Sequence, residues 1–407
     1  MTTSSTEAGT DGLDKPFPWD RKCPFSPPEQ YTALASERPV AKARLATGRD
    51  AWLVTGYDNI RQLLLDPRVS SSRRAENFPF YFPIPEVFRT ETSFIGYDPP
   101  EHTRTRRKAA VTFTNRQTQK LRPQIEQIVD ETIDALIAKG SPADLHHDLS
   151  LPIPMTVICL LLGIPYEDHE FFQTHGAVLL AGDSSTEQRQ AAMVEVGKYL
   201  ENLIAIKEKT PGDDLLSRAI AEYRDAGEEY ETRDLVNLCR LLMNGGHETT
   251  ASMISLGTAC LLEHPDELAK IKKDPSLVPT ALEEVIRFLT IGDAAIARVA
   301  TDDIELGGVT IPKGDGILCV AFTGNRDPEI YENPDQLILE RGNRKHLGFG
   351  YGLHHCIGAD LARLELEIVW TKLFARLPDL QLAIPYKDIR TKEGAVIYGV
   401  WELPVTF

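Results

Sequence analysis

The chain has 407 residues, 42% of them hydrophobic, and a formal net charge of −16. This composition supports a large globular core, and the acidic balance disfavours wholesale binding to nucleic acid or to an anionic membrane. Six cysteines without a CxxC pair argue against a disulfide framework or a Cys-rich zinc ribbon and fit a reducing cytoplasm.

The N-terminal third predicts a lead-in, a hairpin and a long loop. Residues 1–20 are polar and acidic, lack the regions of a signal peptide and are predicted to be disordered. Residues 44–56 predict a β-hairpin around a TGRD turn. Residues 66–98 form a long irregular segment of the kind that is usually functional. Its aromatic residues either line an apolar pocket or pack as ordinary loop residues: Phe78, Phe80, Tyr81 and Phe82.

The middle of the chain is helical in period. Residues 119–139 repeat apolar residues at three-to-four spacing, which predicts an amphipathic helix. Residues 149–166 carry no charge, but three prolines leave room only for a short helix, so a buried core helix is predicted rather than a membrane span. A longer helix, roughly 48 Å at 1.5 Å per residue, is predicted from Thr232 to Glu263, before a proline.

Strand-like sequence follows at residues 294–320, with GG and KGDG turns, and the final strands are predicted beyond residue 380. The fold class is therefore mainly α with small β-sheets (α+β). No linker or internal repeat divides residues 21–407, which are predicted to form a single domain.

The predicted long helix contains NGGHETT at residues 244–250. Two adjacent glycines cost about 1 kcal/mol each relative to alanine in a helix, so they indicate a kink or a close approach to the backbone. Glu248 and Thr249 place a carboxylate and a hydroxyl beside them. These two residues are candidates for a proton relay that faces a cavity. The alternative is a solvated helix face.

Charged residues elsewhere suggest an ion pair and an anion site. Glu284 and Arg287 lie three residues apart in LEEVIRFL and predict a buried structural pair, in which the arginine needs further acceptors. Residues 103–108 and 341–345 are locally basic. A carboxylate-bearing cofactor, an acidic protein partner or ordinary surface charge would explain them.

Residues 349–358 read FGYGLHHCIG. His354, His355 and Cys356 could be metal ligands, a nucleophile with its base, or a turn around a buried sulfur. A zinc site that also used His346 would match none of the usual zinc spacings and would leave the glycines unexplained.

These motifs together resemble the cytochrome P-450 superfamily. Its cysteine loop reads FGxGxHxCxG, and its fixed positions correspond to Phe349, Gly350, Gly352, His354, Cys356 and Gly358. GGHETT is similar to its oxygen-activation motif AGxETT, with Gly245 in place of the usual alanine, and Glu284 and Arg287 match its ExxR pair. The motifs stand in the family's order from about residue 20 to the C-terminus. The wording resembles soluble actinomycete enzymes of secondary metabolism and of foreign compounds.

The resemblance implies a single-domain P-450 fold, a triangular prism with the long helix over haem b. Cys356 would be the axial thiolate ligand, with Phe349, Gly350 and Gly358 bringing backbone to the sulfur. The family's pattern assigns the haem propionates to His102, Arg106, Arg298 and His354. Glu248 and Thr249 would deliver protons to the distal oxygen. Arg341 would join Glu284 and Arg287 in a structural triad, and His355 has no implied role.

The implied activity is that of a monooxygenase that hydroxylates or epoxidises an apolar small molecule, such as a macrolide, terpenoid, steroid or xenobiotic. O2 would be the oxidant, and NAD(P)H would supply electrons through ferredoxin reductase and ferredoxin, because the chain has no GxGxxG or flavin segment. A cytoplasmic monomer is expected. The alternatives are a peroxide-driven peroxygenase, which the retained acid–alcohol pair disfavours, and a non-catalytic haem sensor.

Two surfaces follow from the same layout. The substrate pocket is expected to include residues 78–95, Met243–Gly246 and Ile291–Ile296, with Thr290 and Asp293 as polar contacts. Four cations are hypothesised to dock an acidic ferredoxin on the thiolate side: Arg107, Lys108, Arg344 and Lys345.

Overall fold

The structure is a computed structural model that describes residues 15–81, 93–180, 185–292 and 294–407. The predicted lead-in up to residue 14, the loop aromatic Phe82 and the pocket candidate Asp293 lie outside the described residues.

Helices dominate the described chain. In chain order they are Glu29–Glu37 (α1), Tyr57–Leu65 (α2), Glu101–Ala110 (α3), Asn115–Lys120 (α4), Arg122–Lys139 (α5), Pro152–Leu162 (α6), His169–Leu180 (α7), Thr186–Lys209 (α8), Leu215–Asp225 (α9), Thr232–Leu262 (α10), Pro265–Lys273 (α11), Val278–Leu289 (α12), Ala321–Asn325 (α13) and Ala359–Arg376 (α14). The amphipathic helix predicted at 119–139 is confirmed as α4 and α5, which meet at Leu121.

The strands of the described residues are short and form three small sheets. They are Val40–Arg44 (β1), Asp50–Val54 (β2), Val69–Ser70 (β3), Ala143–Asp144 (β4), Ile296–Ala300 (β5), Ile304–Leu306 (β6), Val309–Ile311 (β7), Gly316–Cys319 (β8), Gln381–Leu382 (β9) and Pro404–Thr406 (β10). The largest sheet has the order β1-β2-β8-β5-β3, the second β4-β10-β9 and the third β6-β7. The predicted hairpin is β1 paired with β2. The many helices and the small sheets together confirm the mainly α architecture.

The N-terminal boundary differs from the prediction. Phe17 and Trp19 were expected within a disordered lead-in, but both are buried. The backbone of Phe17 bonds to Arg44 and Ala46, beside the hairpin, and its ring contacts Trp19 edge-on. Burial of these two large aromatic side chains orders the backbone at this point, although the residues before them are polar.

The long helix α10 runs through the core. It packs on α6, α8 and α14, and every residue from Thr250 to Leu261 is buried. It ends at Leu262, two residues before His264, because Pro265 begins the next helix. A Cβ on Gly257 would lie 2.5 Å from Trp370 of α14, so this glycine permits the two helices to touch.

The uncharged stretch is the buried helix α6, as predicted. Nine of its eleven residues are buried. Across the described chain, none of the helices combines the length and the apolar character that a membrane crossing requires.

The predicted ion pair is the polar centre of the core. Glu284 and Arg287 are both 0% exposed, and Arg287 Nε and Nη2 donate to the two carboxylate oxygens at 2.8 Å. Arg287 also donates to the carbonyls of Asn325 and Pro334, at 2.7 and 2.9 Å. Arg341 donates to Glu284 at 3.2 Å, which confirms the predicted triad.

Candidate active site

The cysteine loop is shaped by two glycines. The loop contains two single turns of 3₁₀-helix, Leu347–Phe349 and Gly352–His354. Gly350 and Tyr351 lie between them. Gly350 and Gly352 both have φ of +72°, where an L side chain is strained. A Cβ on Gly352 would also lie 2.7 Å from the Leu64 carbonyl oxygen. The loop then closes on itself when the Cys356 N–H donates to the Phe349 carbonyl at 2.8 Å.

Cys356 differs from the other five cysteines because it is the one classed as exposed. The surrounding protein nevertheless raises the pKa of its thiol by burial, as expected for a sulfur in a recess of the protein. The Gly358 backbone N–H and the guanidinium groups of Arg106 and Arg363 act in the opposite direction and favour the thiolate. Gly358 contributes through this N–H, since its φ of −89° is open to any residue.

Cations and imidazoles converge next to this loop. His102 and Arg106 lie one turn apart on α3, and Arg298 lies on β5. The His102 and His354 rings are 4.3 Å apart. Burial, Arg298 and His102 lower the pKa of His354 to about 3, and burial and Arg106 lower that of His102. Both imidazoles are therefore neutral at pH 7. The structure brings together all four residues predicted to contact the propionates.

The described carboxylate whose charge acts on His102 and Arg298 is that of Asp98, which also accepts from Ser70 and Ser71. Neither ring nitrogen of buried His102 has a hydrogen-bond partner among the described residues. Arg298 is desolvated, which lowers its pKa, and its Nη1 donates to the Ala297 carbonyl at 2.8 Å. Arg106 donates to the His355 carbonyl at 2.5 Å. Buried donors without acceptors are costly, so the cluster fits a group that carries carboxylates, as haem does.

The relay candidates lie on an unbroken part of α10. A Cβ on Gly246 would be 2.5 Å from Ile158 of α6, so the close approach predicted from the paired glycines is a helix–helix contact. Gly245 is exposed, and a Cβ there would meet nothing within 4 Å. The Thr249 hydroxyl donates to the Gly245 carbonyl at 2.5 Å, which leaves its oxygen lone pairs available to accept.

Glu248 has a partner that the sequence did not reveal. Lys392 Nζ donates to Glu248 Oε1 at 2.6 Å, and both side chains are largely buried. The other oxygen, Oε2, is buried without a hydrogen-bond partner in the described part of the chain. A lysine 144 residues away gives no periodic signal, so local sequence patterns could not have found this contact.

A second buried carboxylate lies behind the cysteine loop. Glu283 is 1% exposed, and its oxygens accept from His346 at 2.9 Å and from Arg363 at 2.6 Å. The Arg363 guanidinium lies 4.5 Å from the Phe349 ring centre. Although burial opposes it, hydrogen bonding to His346 and Arg363 holds the pKa of Glu283 at about 2. The doubled glutamate in LEEVIRFL is the sequence signal by which Glu283 could have been found.

Part of the predicted docking set is wrong. Lys108 is 0% exposed and binds Glu228 and the Glu222 carbonyl, so it cannot meet a partner protein. Arg344 is exposed, but its Nε contacts Glu283 at 3.2 Å. Arg107 and Lys345 are exposed, as the prediction required.

The predicted pocket residues divide in a similar way. Thr290 is 1% exposed, and its hydroxyl is held between the Arg287 carbonyl and the Asn325 side chain. It is therefore a core residue and not a polar contact for a ligand. Tyr81 packs edge-on against Phe17, with ring centres 5.7 Å apart, so it belongs to the N-terminal core. Phe78 and Phe80 contact each other at 4.6 Å.

The zinc alternative finds no support in the geometry. Of the described residues, no three or more His, Cys, Asp or Glu side chains are arranged to hold a metal ion. The ring nitrogens of His346 contact Glu283 and the Gly348 N–H, and His354 Nε2 contacts the Ser71 hydroxyl at 2.9 Å. His355 is exposed and contributes its carbonyl to Arg106.

Comparisons with known proteins agree with the motifs. The cytochrome P450 family model matches residues 183–378. The chain is 44% identical to cytochrome P450 105A3 of Streptomyces carbophilus, over 100% of this chain and 99% of that protein. It is also 44% identical to pentalenic acid synthase of Streptomyces avermitilis, over 99% and 100%. The crystal structure of cytochrome P450 MoxA from Nonomuraea recticatena superposes with a TM-score of 0.92 at 43% identity, over 97% and 98%. Similarity of this extent shows that the chain belongs to the cytochrome P450 family, the haem-thiolate monooxygenases.

Proposed function

We propose that this protein hydroxylates or epoxidises an apolar small molecule, with electrons that NAD(P)H supplies through a ferredoxin reductase and a ferredoxin. The described chain from Phe17 onward would act as one domain, in a cytoplasmic monomer. The observation that carries the proposal is the exposed Cys356 in a loop beside Arg106 and Arg298, neither of which forms an ion pair among the described residues. A thiolate ligand beside carboxylate-binding residues is the requirement of haem b.

Within this proposal each group has a defined task. Cys356 would hold the haem, which supplies the activation of O2 when bound. The Gly358 N–H would bond to the thiolate and moderate its donor strength, while Phe349 and Gly350 would close the loop over it. His102, Arg106, Arg298 and His354 would bind the propionates, because both ring nitrogens of buried His102 lack a partner among the described residues and neither arginine forms an ion pair there.

The distal residues would manage protons. Thr249 donates its own hydroxyl proton to the Gly245 carbonyl, so its oxygen can accept a hydrogen bond from a bound group. Glu248 lies next to it in sequence and would supply protons from the protein side of α10. The acid–alcohol pair is retained, which favours reductive O2 chemistry over a peroxide-driven reaction.

The substrate would meet mainly apolar side chains. Phe78, Met243, Ile291 and Ala294 are buried apolar residues within the segments predicted to face the pocket. Gly245 adds open space beside them. Among the relatives, the name pentalenic acid synthase supports a small metabolite as the substrate class.

The ferredoxin would dock on the cysteine-loop surface, defined here as Arg61, Leu65, Arg107, Lys345 and Leu353. Leu65 and Leu353 are 62% and 58% exposed, and the backbone of α2 meets that of the loop at Gly352. Arg61 donates to the Tyr351 hydroxyl at 2.7 Å. An apolar centre with a cationic rim suits an acidic partner that has an apolar contact of its own.

The test is the carbon monoxide difference spectrum of the reduced protein, with Cys356→Ser beside wild type. We expect a thiolate-type band in wild type and its loss in the variant. A histidine-type band, or no band, in wild type would contradict the proposal. Product formed from hydrogen peroxide alone as fast as with the ferredoxin pair would favour a peroxygenase instead.

A further inference from the structure

A segment near the C-terminus lies against the relay face of α10. Thr391 and Val400 form an antiparallel bridge, and the Lys392 N–H donates to the Gly399 carbonyl at 2.9 Å. A Cβ on Gly399 would lie 2.9 Å from the Ser252 Cβ, so the segment touches α10 closely. Ser252 lies four residues after Glu248 and therefore on the same helix face.

This arrangement buries the Lys392 ammonium beside the relay acid. The side chains of Lys392 and Glu248 are 8% and 14% exposed, and their contact is 2.6 Å long. The ammonium also lies 5.1 Å from the Trp401 ring centre. A buried lysine is unfavourable unless it is paired, so this geometry is maintained by the Glu248 carboxylate and by the aromatic ring.

Among the described residues, no other cation contacts the Glu248 carboxylate. The neighbouring His247 bonds to the Leu151 carbonyl at 3.0 Å, and burial lowers the pKa of its imidazole, so it is neutral at pH 7. His146 bonds to Ser255 at 2.8 Å, and burial lowers its pKa to about 3. Lys392 is therefore the described cation that fixes the orientation of the Glu248 carboxylate.

We propose that Lys392 is a positioning residue for the proton relay: its ammonium holds Glu248 Oε1 and leaves Oε2 as the oxygen that exchanges protons with the Thr249 side. This inference rests on the proposed monooxygenase function. Oε2 is the oxygen without a partner in the described chain, and a carboxylate anchored through one oxygen keeps the other in a fixed place. Lys392 touches no reacting atom itself.

The experiment compares Lys392→Met, Lys392→Arg and Glu248→Gln in the holoenzyme with a ferredoxin pair. We expect Lys392→Met to lower the product formed per NAD(P)H by about tenfold and to raise hydrogen peroxide release, which is less than the roughly 10²- to 10⁴-fold effect of losing a proton-transfer group itself. The spectral dissociation constant of a bound ligand should not change. Lys392→Arg should restore most of the coupling, because it returns a cation to Oε1.

Lys207→Met is the matched control. Lys207 is also largely buried, and its ammonium holds the Asp214 carboxylate at 2.7 Å, between the end of α8 and the start of α9. We expect this variant to lower the unfolding midpoint without changing the coupling. If Lys392→Met folds poorly, Lys392→Gln provides the same comparison, since its amide can still donate while the charge is absent.

A second measurement does not depend on turnover. The fall in the unfolding midpoint of the double variant should be smaller than the sum of the falls in Lys392→Met and Glu248→Gln, since both single changes remove the same contact. Additive midpoints would overturn the inference, as would unchanged coupling in Lys392→Met. Unchanged coupling in Glu248→Gln would instead remove the relay itself, and absence of a thiolate-type spectrum would remove the proposed function.

Discussion

Arg287 shows how this protein satisfies a fully buried cation. One carboxylate cannot accept hydrogen bonds from all the N–H groups of a guanidinium. The carbonyls of Asn325, Pro334 and Gln336 therefore accept from Arg287 as well. These carbonyls belong to the segment that leads to the cysteine loop. The ion pair therefore fixes the approach of that loop as well as α12.

Breaking this pair should be strongly destabilising. Glu284→Gln leaves Arg287 buried with a neutral partner, and we expect a loss of about 3–5 kcal/mol in the free energy of unfolding. Denaturant titration measures it. Glu340→Gln, which removes a surface contact with Lys270, is the control and should cost about 0–1 kcal/mol. Equal losses in the two variants would contradict the assigned role.

The Thr249 hydroxyl permits an equally specific test. Thr249→Ala should reduce the product formed per NAD(P)H by about 10²-fold or less and raise peroxide release, because a proton-transfer group is lost. Thr132→Ala is the control, since Thr132 makes the same hydroxyl contact one turn back, to Ile128, on a distant helix. Normal coupling in Thr249→Ala would remove Thr249 from the relay.

At the scale of elements, the adjacent glycines of α10 have opposite surroundings. A Cβ on Gly245 would meet nothing within 4 Å, whereas one on Gly246 would meet Ile158 at 2.5 Å. The pair thus combines a space on one side of the helix with a helix–helix contact on the other.

Alanine substitutions should separate these roles. Gly245→Ala should stabilise the protein by up to about 1 kcal/mol through helix propensity. Gly246→Ala should destabilise it by about 1–3 kcal/mol, because α6 and α10 must move apart. Thermal or denaturant unfolding measures both changes in stability. Changes of the same sign in the two variants would be inconsistent with this packing.

Helix α14 contains a carboxyl group that should make stability depend on pH. Glu365 is 2% exposed, its Oε2 has no partner among the described residues, and burial raises its pKa to about 8. Between about pH 4.5 and 8 the folded chain keeps a proton that the unfolded chain releases. The Glu365 contribution is thus fully present at low pH and is lost as pH rises through this window.

Glu365→Gln should remove this dependence. Between pH 5 and pH 8.5, the free energy of unfolding of wild type should fall by about 3–5 kcal/mol more than that of the variant. Free energies of unfolding at the two pH values measure the difference. Glu367→Gln, in which a partly exposed contact with Arg122 is lost, serves as the control and should keep the wild-type slope. A parallel slope in Glu365→Gln would show that the buried carboxyl is not protonated.

At the scale of the whole molecule, the acidic chain presents cations on the cysteine-loop surface. Lys345→Glu should slow reduction by ferredoxin, and added salt should slow the wild-type reaction, because charge steers the encounter. Lys198→Glu, at an exposed lysine on α8, should behave as wild type. Reduction that is insensitive to both salt and Lys345→Glu would exclude this surface.

Sequence reasoning reached what is periodic or local. The bounds of α10, the hairpin, the buried α6 and the Glu284–Arg287 pair follow from spacing, prolines and turn residues. Contacts made at long range were missed. Lys392 reaches Glu248 across 144 residues, and Phe17 is ordered by a hairpin that begins after it. Lys108 was misassigned because a cationic run looks exposed until its partner Glu228 is placed beside it.

The position of Lys392 has a consequence for the order of synthesis. The helix that carries Glu248 leaves the ribosome more than a hundred residues before the lysine that holds it, and the strand β10 that pairs with β4 comes later still. The haem-binding loop is therefore translated before the acid in α10 acquires its cation. A chain that ends just after residue 390 would retain Cys356 and the propionate contacts but lack the Lys392 ammonium, so the Glu248 carboxylate would meet its cation only after the cysteine loop had been made.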